Sequence, residues 1–152
     1  MKAIAFKSRK DGFDWILVDG TDRNVAAVVM RKKVTTPKDN REAQLLWVAQ
    51  EVAELVKFHT PIRAAIQRVA GGNLSDSLVS RIEVDGVIRA ALGKAKLDTT
   101  AIKSRYIAKA FGVKINEFAE LEANLPCLRD IPGTFRDLAL LALSQLPDEV
   151  SE

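Results

Sequence analysis

Gln67 and Arg68 close the apolar run IRAAIQRV, just ahead of a glycine pair (Gly71 and Gly72) and a long helical pattern. A buried strand feeding a loop and a helix is half of a βαβ unit, and α/β proteins collect ligands at the carboxyl ends of such strands. The chemistry open to this position turns on the glutamine, whose amide oxygen is an uncharged and weak metal ligand. Further along, Lys103, Arg105 and Lys109 fall on or near one short helix together with Tyr106. Cations of this kind contact phosphates, and a tyrosine ring offers a base a stacking face. The plainer role for each is to solvate a helix face. Other constellations are missing. Cys127, the one cysteine, lies beside Pro126 in an expected loop, so the chain has no internal disulfide and no Cys/His zinc pattern. The one histidine, His59, has no serine or cysteine motif beside it and reads as a helix cap or surface residue.

The elements that must position these residues fit in a single domain. The 152 residues can bury a real core, and 47% apolar with 28% charged residues is ordinary for a soluble globular chain. A formal charge of +3 permits a polyanionic partner without demanding one. No run approaches the roughly 20 apolar residues that span a bilayer. MKAIAFKSRKDG has too short an apolar stretch for a secretory leader, so a cytoplasmic location is expected, with no membrane partner. Residues 1–147 are read as the domain and 148–152 as a frayed acidic tail.

In chain order, KAIAFK (residues 2–7), FDWILVDG (residues 13–20) and a third run from about Asn24 to Val34 make an antiparallel meander, with a turn at Asp19–Asp22 and Trp15 in the core. Asp39 or Asn40 caps a helix from Arg41 to Phe58, whose inner face carries Leu45, Val48, Ala49, Val52 and Val56. The fourth strand runs from Ile62 to Val69. Ser75 or Asp76 caps the next helix, which reaches Leu92 with Leu78, Ile82, Ile88 and Leu92 near helical spacing. A fifth strand is expected within Gly93–Thr99. Thr99 or Thr100 then caps a helix that stops at Gly112, a short helix covers residues 116–126, and a last helix runs from Thr134 to Leu146. The last presents Phe135, Leu138, Ala139, Ala142 and Leu146 inward.

This order resembles the RNase H-like fold: a mixed five-stranded α/β sheet, antiparallel meander first and parallel strands after, flanked by helices. Local stretches are more narrowly similar to the RuvC type of Holliday-junction resolvase. IAFKS (4–8) resembles that family's first strand, AAIQ (64–67) its fourth, DGVIRAAL the following helix, TTAIKSRYIAKAFG (99–112) the segment after it and TFRDLALLAL (134–143) its last helix. The family places an acid at each of four positions, which carry two Mg²⁺ ions about 4 Å apart. By the resemblance these positions are held here by Lys7, Gln67, Thr134 and Asp137, and only the last is an acid. A lysine against a divalent cation is repulsive, so the resemblance implies the fold and the residues argue against its reaction. No metal is expected, with Mg²⁺ implied only if other acids rescue a site. Glu83, Asp85 and Asp130 are the rescuers to consider, while Asp11, Asp14 and Asp19 read as turn or solvent-facing residues. Lys7 is instead expected to pair with Asp137, with Gln67 hydrogen-bonded to either; a Lys7 that leans out to solvent is the plainer reading.

Three functions follow. A catalytically silent RuvC-like module would bind DNA or RNA through Arg9, Lys10, Arg63, Arg68, Lys103, Arg105, Tyr106 and Lys109. A scaffold would use the fold to pair with itself or another protein, with the helix at 75–92 and its Gly86, Ala90 and Ala91 as the suspected face. A divergent metal-dependent nuclease would use acids placed elsewhere.

Overall fold

A computed structural model describes residues 1–148. Its elements are β1 (Lys2–Arg9), β2 (Gly12–Asp19), β3 (Ala27–Thr35), α1 (Arg41–His59), β4 (Arg63–Gln67), α2 (Asp76–Lys94), β5 (Asp98–Ile102), α3 (Ile107–Ala110), α4 (Ile115–Ala123) and α5 (Gly133–Leu143). Single 3₁₀ turns at Ser104–Tyr106 and Pro126–Leu128 complete the chain. The sheet order is β3-β2-β1-β4-β5, with β1–β3 antiparallel and β1, β4 and β5 mutually parallel. The mixed five-stranded α/β sheet expected from the sequence is therefore present.

The central strands are apolar on both faces because helices cover both. Ile4, Phe6, Phe13, Trp15, Leu17, Ala64 and Ile66 pack beneath α1 and α2. Ala3, Ala5, Ile16, Val18 and Ala65 alternate with them and meet α5. Alanine at three of those positions lets α5 lie close to the sheet. Every residue of α5 from Leu138 to Leu143 is buried. A helix that is apolar all round must be covered all round, and the cover comes from Ile107, Phe111, Phe118, Leu121, Leu125 and Cys127. Cys127 thus sits in a buried 3₁₀ turn, where burial pushes its thiol up to about 11.

Local signals explain the boundaries. The Asn40 side chain accepts from Ala43 N–H at 2.8 Å and that of Ser75 from Leu78 N–H at 3.1 Å, which settles both expected caps. Gly12 is required by close approach, since a Cβ there would lie 1.9 Å from the Val34 carbonyl oxygen. Gly112, at φ +70°, stops α3 as its sequence position indicates. Several boundaries shift. β5 lies at Asp98–Ile102 rather than within 93–99, so Thr99 and Thr100 are strand residues and cap nothing. Pairing with β4 outweighs their capping preference, and the helix expected to follow them shrinks to a 3₁₀ turn and one α turn. Ile82, expected inside, is 50% exposed, and Val84 takes the inward position. His59 is not the cap of α1. Thr60 is, at φ 49°, donating its N–H to Val56 O, while the His59 ring packs 5.5 Å from Trp15. Asp148, assigned to the frayed tail, is held by Arg23 at 2.6 Å; residues 149–152 lie outside those described.

Candidate nucleic-acid interface

Because β1, β4 and β5 run parallel, their carboxyl ends share one edge of the sheet. Register carries one row of side chains across it: Lys33 on β3, Asp14 on β2, Lys7 on β1, Gln67 on β4 and Ile102 on β5. The alternation of the strands puts this row on the α5 side. Lys7 and Thr134 line a common cleft of about 480 Å³, joined by Lys10, Lys33, Ser77 and Arg81. The structure so brings together three of the four positions marked by the resemblance, while Asp137, exposed on α5, does not line this cleft.

The expected Lys7–Asp137 pair does not form: among the described residues neither has an opposite charge within 4.0 Å. Gln67 bridges neither, and its Oε1 is buried with no hydrogen-bond partner among the described residues. Ser8 Oγ, also lining the cleft, is buried and unpartnered too. The acid nearest Lys7 in register is Asp14, which the sequence reading turned toward solvent. Its residue is 4% exposed, and it is taken up by Arg9, whose Nε donates at 3.0 Å. Arg9 also reaches Asp11 at 3.2 Å and the Val34 carbonyl at 2.9 Å, so it locks the β1–β2 corner to β3.

As a donor set for divalent ions these positions do not fit. A lysine stands in the centre, a neutral amide beside it, and the buried carboxylate is held by a guanidinium. The proposed rescuers are scattered. Glu83 pairs with Arg41 at 3.0 Å, Asp130 is exposed at φ 62°, and Asp85 faces Arg89 at 4.0 Å. Burial raises the Asp85 pKa, and Arg89, Arg68 and Arg81 pull it back down.

The cations divide into two classes. Arg68, Lys103, Tyr106 and Lys109 line a pocket of about 510 Å³ just beyond β4 and β5. Arg105 lies beside it, lining a smaller recess with Lys103 and Gly71. Its guanidinium covers the Tyr106 ring at 4.8 Å from the centroid, so a base would stack on the pair rather than on a bare ring. Lys10 joins the Lys7 cleft. Arg9 is structural, as above, and Arg63 stands at the amino end of β4, paired with Asp98 at 3.8 Å, on the opposite edge from the others. Sequence reading missed Ser77 and Arg81. They were open to inference, because a helix that follows β4 begins over the carboxyl edge and brings its first turns there.

A five-stranded β3-β2-β1-β4-β5 sheet with three antiparallel and then parallel strands, helices on both faces, defines an RNase H-like fold. More narrowly the fold is similar to that of RuvC. The chain superposes on Thermus thermophilus RuvC with a TM-score of 0.74 at 14% identity, over 95% of this chain and 92% of that one. The same protein in complex with a Holliday junction substrate gives 0.73 at 16% identity, over 95% and 91%. The yeast mitochondrial Holliday junction resolvase Ydc2 gives 0.61 at 9% identity, over 93% and 77%. No protein-family profile and no curated protein matches the sequence.

Proposed function

We propose that this protein binds nucleic acid along the carboxyl edge of its parallel strands and holds the phosphates with side-chain cations instead of metal ions. The observation that carries this is the convergence of Arg68, Lys103, Tyr106 and Lys109 on one pocket, next to a row in which Lys7 stands between Asp14 and Gln67. The fold's likeness to a RuvC bound to a Holliday junction supports a branched DNA as the first ligand to try. Hydrolysis by a metal pair is not part of the proposal, since the donor set does not suit one.

Fluorescence anisotropy with a four-way junction, a duplex and a single strand, repeated over a range of salt, tests the reading. Binding should weaken steeply with salt, by about 0.9 log units per log unit of salt for each phosphate neutralised, because its counterions are released. Arg68→Ala with Lys103→Ala and Lys109→Ala should cut that slope by about 2–3. Affinity for none of the three probes at low salt would end the proposal.

A second reading, that the chain pairs with itself, is favoured by one observation. Val79 and Ile82 are 42% and 50% exposed on the outer face of α2, and a Cβ added to Gly86 or Gly93 would meet nothing. The two readings are compatible.

A further inference from the structure

The outer side of the sheet carries a feature that the basic pocket beyond β4 and β5 does not use, although it shares Lys33 with the Lys7 cleft. Among the described residues β3 is the outermost strand and pairs only with β2, so the outward backbone groups of its nine residues lack a sheet partner there. Beside it, between β3 and α1, lies a groove of about 460 Å³ lined by Trp15, Met30, Trp47, Leu55 and Phe58 together with the charged Lys32, Lys33 and Glu51. Phe58 is 82% exposed and Met30 45% exposed. The strand itself carries three consecutive cations, Arg31, Lys32 and Lys33, all exposed.

Natural edges are often guarded by lysine against unwanted pairing, and that would explain the charge alone. A guard needs no groove of aromatic side chains alongside it, and an aromatic ring left in water at the groove's rim costs solubility. The alternation of β3 adds a directional argument. Met30, Lys32 and Val34 pair with Leu17, Trp15 and Phe13 and so face the groove. Arg31 and Lys33 face the α5 side, where the Arg31 guanidinium lies 5.4 Å from the Phe135 ring centroid. A strand laid along β3 would put alternate side chains into the groove and the others beside Arg31 and Lys33. A second copy of β3 is a poor fit, because an antiparallel pair centred on Lys32 would set like charges opposite one another.

We infer that β3 is a docking edge for an extended segment of an acidic partner protein, in which apolar residues alternate with Asp or Glu. Main-chain hydrogen bonds to β3 supply affinity, the Trp15–Phe58 groove takes the apolar residues, and Arg31 and Lys33 select the acids.

The probe is a synthetic peptide of sequence LDVEIDVE, with LVIVDEDE as a control of the same composition in blocks. Binding to the full chain is followed by hydrogen exchange of the β3 amides and by the NMR resonance of the Trp15 indole N–H, which is buried without an acceptor beneath the groove. The alternating peptide should slow exchange of the β3 amides that do not bond to β2 and shift the indole signal, and the control should do neither. Arg31→Glu with Lys33→Glu should weaken binding about tenfold. Phe58→Ala, at an exposed position that the fold does not need, should weaken it by a similar factor. Equal binding of the two peptides, or no added protection at millimolar peptide, overturns the inference. So does protection of the same amides by a second copy in the absence of peptide, or by duplex DNA in its place.

Discussion

Arginines and lysines of identical sequence appearance do opposite jobs in this protein, and burial of their partners separates them. Arg9 neutralises Asp14, whose side chain is 6% exposed, and ties down a strand carbonyl as well. Removing one partner of a buried pair strands the other charge. Arg9→Ala should therefore lower stability by about 3 kcal/mol, whereas Lys103→Ala should stay within about 0.5 kcal/mol; urea denaturation of both variants reads the difference. Lys7 raises a sharper question, because its position in the row decides what the centre can hold. Replacing it by Asp and Gln67 by Glu places two new carboxylates side by side on β1 and β4. Calorimetry should then show a saturable Mn²⁺ site in the double variant and none in the wild type. Saturable Mn²⁺ binding by the wild type would mean that acids outside this row hold a metal. Of the residue-level picture, the Lys7–Gln67 adjacency was legible in the sequence through the resemblance. The burial of Asp14 was not, because nothing in the string RKDGFD says that Arg9 folds back across the turn to meet it.

Elements whose apolar pattern is unambiguous fell where the sequence placed them, and those with mixed signals moved. α1 and α2 carry an explicit cap apiece, and α5 carries a dense apolar run. The 98–112 stretch carries capping threonines and a strand's worth of small and β-branched residues at once, and sheet pairing decided between them. The junction of α1 and β4 shows how an element's end can be titrated. Burial against Trp15 lowers the His59 pKa, and the nearby Lys2 charge lowers it further. The unfolded chain therefore binds a proton more readily than the folded one, so stability is fully present above the ordinary value of 6.5. It is lost as pH falls through 6.5 toward the lower folded value. His59 is the chain's single histidine, which makes the window clean. Thermal midpoints of the wild type should fall between pH 7 and pH 5.5, and His59→Phe should remove that part of the slope. An unchanged slope in the variant would assign the pH dependence to another group.

At the scale of the whole molecule, the sheet sorts chemistry by edge and face. Cations gather at the carboxyl edge of β1, β4 and β5, the aromatic-lined β3–α1 groove lies on the outer edge, and α2 turns a smooth stripe of Val79, Ile82, Gly86 and Gly93 outward. Helices with small residues at the contact can approach closely, and apolar residues beside them add buried area. Pairing through α2 would leave both carboxyl edges available to one nucleic acid, since Arg68, Lys103 and Lys109 lie outside that stripe. The two properties are then linked by counterion release. A pair that engages DNA with both subunits displaces about twice the counterions of a single chain, so its salt slope should be about twice as steep. Ile82→Asp puts a charge in the stripe at a half-exposed position, where the folded monomer can tolerate it. Sedimentation equilibrium should show the mass of two chains for the wild type at tens of micromolar and of one for the variant, with the junction-binding slope halved in parallel. A variant that becomes monomeric but keeps the wild-type slope would show that one subunit makes all the phosphate contacts. A wild type that sediments as a single chain would remove α2 as an interface and leave the basic edge to act alone.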